Sequence, residues 1–254
     1  MSRIRYTFFN NGDLADRHGP DNCTVLNPEM EMYPNTMARK TKEEALATRC
    51  QLLDAAQSVF CDKGVSHTSL HEVATAAGLT RGAVYWHFEN KADLLAALWE
   101  RASLPIDATL EEIEQKYPTD PLARIFEKTI TVIRRIATEE QARALMSIIL
   151  LKCEYVLETE AVRLHLVEAR EQCLAKSAAE FQAAVDAGQL PAAVDPQTAA
   201  LGMFAIFDGS CFHWLMAPER FDLVQLAEHT FSAYLEGLKH TDKFTKVLKK
   251  DKAG

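Results

Sequence analysis

Residues 69–91 read SLHEVATAAGLTRGAVYWHFENK, and the reading of this stretch decides the fold. Glu72 follows Ser69 by three residues, the spacing of a capping box, so Thr68 or Ser69 opens a short helix to about Ala77. Gly78 breaks that helix. Thr80 starts another, running to about Phe88, and Asn90 caps the next, whose apolar stripe is Leu94, Leu95, Leu98 and Trp99. Two short helices joined by a Gly-containing turn make a helix-turn-helix. Leu70, Val73 and Ala74 are placed to meet Val84 and Phe88, with Leu79 in the turn. Ala77 and Gly78 are small enough to let the helices cross closely. Arg81, Gly82, Tyr85, Trp86 and His87 remain, too many for so short a helix to bury, and exposed aromatics beside Arg ask for a partner.

DNA is a partner with the right chemistry. The N-terminal residues of a recognition helix face base edges. Arg81 can donate two hydrogen bonds to guanine, and Gly82 admits a close backbone approach. Tyr85 and His87 can donate to phosphates while Trp86 packs on sugar. Lys91 opens the following helix, where its charge and the unpaired amides favour phosphate, and Thr68 or Ser69 offers the same one helix earlier. The competing reading makes Tyr85, Trp86 and His87 an aromatic cluster against the fourth helix.

Outward from this stretch the chain reads as all-α. A first helix runs from Lys42 to about Lys63, with Leu46, Leu53, Ala56 and Phe60 at helical spacing and Gly64 as its C-cap. Beyond Trp99, helices are expected at 106–116, 121–137, 139–153, 160–187, 196–216 and 222–239, punctuated by Pro118, Pro121, Gly188, Pro191, Pro196 and Pro218. Residues 1–36 are dense in breakers and read as a disordered N-terminal extension, with Met37 a plausible start. The resulting division is a DNA-binding head over 37–95, with the helix-turn-helix at about 69–88, a body over 96–240 and a basic tail over 241–254.

The net charge of −8 over 254 residues argues against a nucleic-acid binder until it is divided by region. The head balances seven basic residues against seven acidic ones, whereas the body carries thirteen against twenty-two. The acidity therefore belongs to the part that need not touch DNA. Arg39, Lys40, Lys42, Arg81 and Lys91 can share the DNA side. The longest apolar run is roughly seven residues, against the ~20 of a bilayer span, so no transmembrane helix is expected. No apolar signal segment opens the chain. The cysteines at 23, 50, 61, 153, 173 and 211 are scattered, with no CxxC pair, and read as reduced thiols of a cytoplasmic protein rather than disulfides or a metal site. No nucleotide-binding glycines, nucleophile elbow or zincin motif is present, and His67, His71 and Glu72 share a helix edge with no pocket implied. Neither enzyme activity, a metal nor a cofactor is expected.

Thr80-Arg81-Gly82-Ala83-Val84-Tyr85-Trp86-His87-Phe88 with Asn90-Lys91 resembles the DNA-binding signature of the TetR family of transcription regulators. The resemblance extends through LLDAAQSVF, KGVSHTSLHEVATAAGLT and KADLLAALWE, covering residues 37–100. It implies a three-helix head, a larger helical body that binds a ligand and a homodimer on operator DNA. By it Arg81 and Gly82 approach bases, and Tyr85, Trp86, His87 and Lys91 bind backbone, with Thr68, Ser69 and Thr80 assisting. MARKTKEEA, LLKCEYV, GQLP, MFAIFDG with the following Trp214, and FDL are similar to the multidrug-efflux repressors of the AcrR and TtgR type. That implies a repressor released from a palindromic operator by hydrophobic or amphipathic compounds. A TetR-type repressor or activator of a metabolic, lipid or aromatic-compound pathway remains the alternative.

Residues 196–216, PQTAALGMFAIFDGSCFHWLM, are apolar on most faces and belong at the centre or at an interface. Asp208 stands out, since a buried carboxylate needs a partner. By the resemblance Phe204, Asp208, Val132 and Cys173 line the ligand pocket. Ordinary core packing competes for Phe204, Val132 and Cys173, and a structural hydrogen bond or dimer contact competes for Asp208. His213 reads as a satisfied core or interface histidine, and Glu154 as an ion-pair partner of Lys152. Residues 196–239 are expected to form a four-helix dimer interface, with Trp214 buried in it.

Overall fold

The computed structural model describes residues 36–153 and 160–241, with the backbone alone at 36–41, 103–105, 107, 160, 161 and 165. The expectations for residues 1–35, Glu154 and 242–254 lie outside the described residues, as do those for the side chains of Arg39 and Lys40. Two units are distinguished, Met1–Leu52 and Leu53–Gly254. The described part of the first is helical throughout. The second holds every helix from Leu70 onward.

The described residues hold nine α-helices, a π-helical and a 3-10 turn, and no strand. The α-helices are α1 Thr36–Lys63, α2 Leu70–Ala76, α3 Arg81–His87, α4 Lys91–Lys116, α5 Pro121–Thr138, α6 Glu140–Ser147, α7 Glu160–Asp186, α8 Pro196–Met216 and α9 Leu223–Leu238. The starts are chemically explicit. Side-chain oxygens of Ser69, Thr80, Asn90, Asp120, Asp195 and Asp222 each accept a first-turn amide, satisfying a donor that the helix itself leaves unpaired. Gly64 follows α1 with a φ of +85°, a left-handed conformation that costs a glycine little.

Three elements differ from the sequence reading. α1 starts at Thr36, six residues before the expected Lys42. α4 is one continuous helix through Pro105 rather than two segments parting after Trp99. A proline removes one backbone bond, but Leu94, Leu98, Ile106 and Ile113 are all buried, and that shared apolar face carries the helix across. The expected head–body boundary at residue 95 thus falls inside α4. The helix expected over 139–153 is α6 followed by a π-helical turn, Ile148–Lys152.

The core of the body is an α5–α7–α8–α9 arrangement. α5 packs on α7 and α9, and α8 on the same two. Ile125, Ile130, Ile133 and Ile136 supply one face, meeting Phe181, Met203, Trp214, Leu223 and Phe231 in one buried cluster. At the α8–α9 crossing Gly202 leaves space that Tyr234 fills. A Cβ there would stand 3.0 Å from the Tyr234 Cζ and closer still to its hydroxyl, which donates to Ala199 O at 2.8 Å. The N-terminal half of α5 is tied down by ions. Glu180 of α7 receives Arg124 through Nε and Nη2 at 2.9 and 2.8 Å, and Lys128 at 2.8 Å. Lys128 also reaches Glu114 of α4 at 2.6 Å. These two cations hold the Glu180 carboxyl below its ordinary range, although burial pushes the other way.

α8 is long and apolar enough to cross a membrane by length and composition alone, which counting unbroken apolar runs did not anticipate. Its Ala199, Ala200, Met203, Cys211 and Trp214 are core, so Trp214 is buried within its own chain. Cys61, Cys153, Cys173 and Cys211 are free thiols, but Cys50 is disulfide-bonded, contrary to the expectation of reduced thiols throughout.

Candidate functional site

The helix-turn-helix is built by α2 and α3. Ser69 Oγ accepts from Glu72 N at 3.2 Å, and Glu72 Oε2 accepts from Ser69 N at 2.9 Å, completing the capping box. Lys63 closes the network with a 2.9 Å contact to Glu72. Together Lys63 and the Ser69 donors draw the Glu72 carboxyl down to about 2. Thr80 Oγ1 caps α3 by accepting from Ala83 N at 3.2 Å. Leu70, Val73, Ala74, Ala77, Val84 and Phe88 are buried, as the spacing requires, and Gly78 makes the turn with a φ of +68°.

The opposite face of α3 is open. Trp86 is 71% exposed and Tyr85 48%, so the aromatic-cluster alternative does not bury them. Arg81 and Gly82 are exposed beside them, and the Arg81 guanidinium lies 5.4 Å from the Tyr85 ring centre. His87 is half-buried and packs edge-on against Trp86 at 4.5 Å. A groove of about 540 Å³ runs beside this face, and Ser69, Tyr85, Asn90 and Lys91 are among its walls. Lys91 Nζ donates to Val65 O at 2.8 Å and Ser66 O at 3.1 Å, fixing a positive charge at the groove edge. Glu72 and Glu89 line it too, the former neutralised by Lys63.

Thr68 departs from expectation. It is only 3% exposed, and its hydroxyl donates to Gly64 O at 2.7 Å. Its hydroxyl closes the turn after α1 and is turned away from solvent, whereas the Ser69 hydroxyl, which donates to Glu72 Oε2 at 3.0 Å, stays exposed. Ser69, the exposed neighbour, is the cap.

The four residues expected in the ligand pocket sit in the α5–α7–α8 region. Val132 and Phe204 are half-buried against the core cluster. Cys173 is half-buried, and burial pushes its thiol up despite Lys176 and Arg170. Asp208 has the partner its position demanded: Arg170 of α7 donates to it through Nη2, and the pair keeps 47% and 27% side-chain exposure. The Arg170 guanidinium also lies 5.4 Å from the Phe204 ring centre, and Phe204 packs edge-on with Phe207 at 6.5 Å. Phe204, Asp208 and Arg170 therefore meet where α7 and α8 pack, with Cys173 one turn beyond Arg170 on α7, while Val132 belongs to α5. Arg170 escaped the sequence reading because its pairing spans 38 residues and exists only once α7 and α8 pack. A second cavity, about 580 Å³, lies elsewhere, between Asp120, Phe126, Gln189 and Lys239. His213 is exposed on this chain and packs on Phe212, so it is not a core histidine.

Comparison with known proteins places both halves. Residues 52–98 match the family described as bacterial regulatory proteins, tetR family. Residues 120–240 match the C-terminal region of MAATS-type transcriptional repressors. The chain is similar to the HTH-type transcriptional regulator AcrR of Shigella flexneri, with 41% identity across 79% of this chain and 93% of that protein. Among solved structures it resembles NalD, the secondary repressor of the MexAB-OprM multidrug efflux pump of Pseudomonas aeruginosa. That match has 31% identity and a TM-score of 0.68, covering 77% of this chain and 98% of NalD. It also resembles SmeT, the repressor of the Stenotrophomonas maltophilia efflux pump SmeDEF, in its complex with triclosan. There the identity is 32% and the TM-score 0.63, over 74% of this chain and 90% of SmeT. These relatives are transcriptional regulators.

Proposed function

Because this chain belongs to the TetR family of bacterial transcriptional regulators, we propose that it is a repressor of a multidrug efflux operon. It binds a palindromic operator as a homodimer and is released by small hydrophobic or amphipathic compounds. The observation that carries the DNA-binding part is the solvent-facing α3 surface of Arg81, Gly82, Tyr85 and Trp86 beside a groove walled by Ser69 and Lys91. In this reading Arg81 and Gly82 approach base edges. Ser69, Thr80, Tyr85, Trp86, His87 and Lys91 hold the phosphate backbone. Residues 37–95 form the head and 96–240 the body. A regulator of this kind works where the chromosome is, in the cytoplasm. The efflux assignment follows the AcrR, NalD and SmeT likenesses.

The dimer reading is supported by α8. Leu201, Phe212 and Met216 are 55%, 38% and 64% exposed, and their spacing of 11 and 4 residues puts them on one face. An apolar stripe on a helix that also fills the core suits a second copy. Two heads about 34 Å apart then enter successive major grooves. The body ligand site comprises Val132, Cys173, Phe204 and Asp208. α4 links it to the head, since one helix carries both Lys91 at its first turn and the Leu94–Trp99 stripe. A ligand displaces the equilibrium only by its differential affinity for the DNA-competent and released forms.

The test is a fluorescence-anisotropy titration of the full chain on DNA upstream of its own gene and of neighbouring efflux genes, with stoichiometry from analytical ultracentrifugation. The reading requires a dimer per site and release by amphipathic aromatic compounds. A monomer, or binding indifferent to sequence, overturns it.

A further inference from the structure

The α7–α8 cluster carries a polar group that the proposed ligand site did not include. Asp208 by itself suits a cationic ligand. It is not by itself, because Arg170 sits over the Phe204 ring and donates Nη2 to its carboxylate. The pair is electrically neutral, so the carboxylate presents little attraction to a further cation. The guanidinium has five N–H donors in a planar fork. Its Nε and Nη1 have no acceptor among the described residues. The guanidinium lies over Phe204, which in turn packs edge-on against Phe207, and the half-buried Cys173 lies one helical turn further along α7.

We infer that Arg170 is a specificity-determining residue of the ligand site, and that it selects aromatic compounds bearing an ionised oxygen, a carboxylate or phenolate, over cationic amphiphiles. The inference rests on the reading of Phe204 and Asp208 as ligand-binding. The ring system of such a ligand packs on Phe204 and Phe207. Its anionic oxygen takes the Nε or Nη1 donors of the guanidinium in charge-assisted hydrogen bonds, the geometry for which Arg is better suited than Lys. Asp208 holds the guanidinium in place from the other side. Since Arg170 keeps 47% exposure, its pair with Asp208 is screened by water and costs little to rearrange when a ligand arrives.

Two fluorescent probes of the same shape and opposite charge separate the possibilities: 9-anthracenecarboxylate and 9-(aminomethyl)anthracene as its ammonium ion. Each is titrated into the full chain, and into Arg170→Gln, Asp208→Asn and Phe204→Ala, with thermal melts of all four as a check on folding. Wild type is expected to favour the carboxylate by about tenfold. Arg170→Gln should abolish that preference or reverse it, because it removes the fork and bares Asp208. Asp208→Asn should retain the preference. If the preference is unchanged in Arg170→Gln while Phe204→Ala weakens both probes, Arg170 is not the determinant and the ligand site stands. If neither probe binds, or Phe204→Ala changes neither, the site itself is misplaced and both readings fall. The conservative Arg170→Lys keeps the charge and loses the fork. Partial recovery of carboxylate binding there is the signature of a direct contact, whereas a merely structural role would not distinguish the probes.

Discussion

Replacing Glu180 by Gln removes one negative charge from the ion network that fastens the start of α5 to α7 and α4. Glu180 faces Arg124 and Lys128, and the three side chains keep only 14–20% exposure. Losing one partner of a well-buried pair costs about 3–5 kcal/mol. Here the cost is smaller, for three reasons. Gln keeps one oxygen. Arg124 Nη1 still donates to Tyr117 O at 2.9 Å and Pro118 O at 3.2 Å. Lys128 still holds Glu114 at 2.6 Å. A loss of about 2 kcal/mol follows, near the lower end for hydrogen bonds to charged groups. For a chain of this size that lowers the melting temperature by roughly 4–8 °C. The pH dependence has a fixed sign. The folded-state pKa of Glu180 is depressed, so its stabilisation is complete above the unfolded carboxyl value of about 4.3 and disappears as pH falls through the folded value. Circular-dichroism melts of both proteins should therefore show the full gap at neutral pH and a closing gap below about pH 4. A gap that stays constant into acid, or no gap at neutral pH, refutes the reasoning.

Other packing and turn positions give equally direct tests. Gly202→Ala sets a methyl against Tyr234 and drives its hydroxyl off Ala199 O, costing about 1–3 kcal/mol in urea unfolding. Pairing it with Tyr234→Phe should recover part of that loss. An additive double mutant would show that the two side chains do not meet. Thr68→Val deletes the buried bond to Gly64 O with little change of shape, so unfolding should be easier by about 1 kcal/mol. Operator affinity at fixed salt should stay as in wild type. Weaker operator binding by a folded Thr68→Val variant would instead mark Thr68 as a phosphate contact.

What the sequence disclosed and what it hid divide along chain separation. Ser69, Thr80 and Asn90 all cap the helices expected of them, because a cap is an oxygen and an amide three residues apart. The α2–α3 packing was legible for the same reason. Arg81, Tyr85 and Trp86 stood out because seven residues cannot bury so much. Thr68 misled because it and Ser69 carry the same group, and only the fold determines which one points inward. The stretch after Trp99 reads locally as the start of a separate helix, while the buried face that carries α4 across Pro105 runs the length of the helix. Arg170 with Asp208, Gly202 with Tyr234 and Lys91 with Val65 are tertiary facts. Each joins residues at least 26 positions apart, and no local pattern announces them.

The account depends most on α3 being the element that reads DNA. Arg81→Ala tests this, since Arg81 is exposed and its removal leaves the core intact. Its operator affinity is measured by anisotropy at fixed salt, alongside a thermal melt. The account predicts a melting temperature equal to that of wild type and specific affinity lower by at least about tenfold, the cost of one bidentate base contact. Unchanged operator affinity in a folded Arg81→Ala dimer would contradict it.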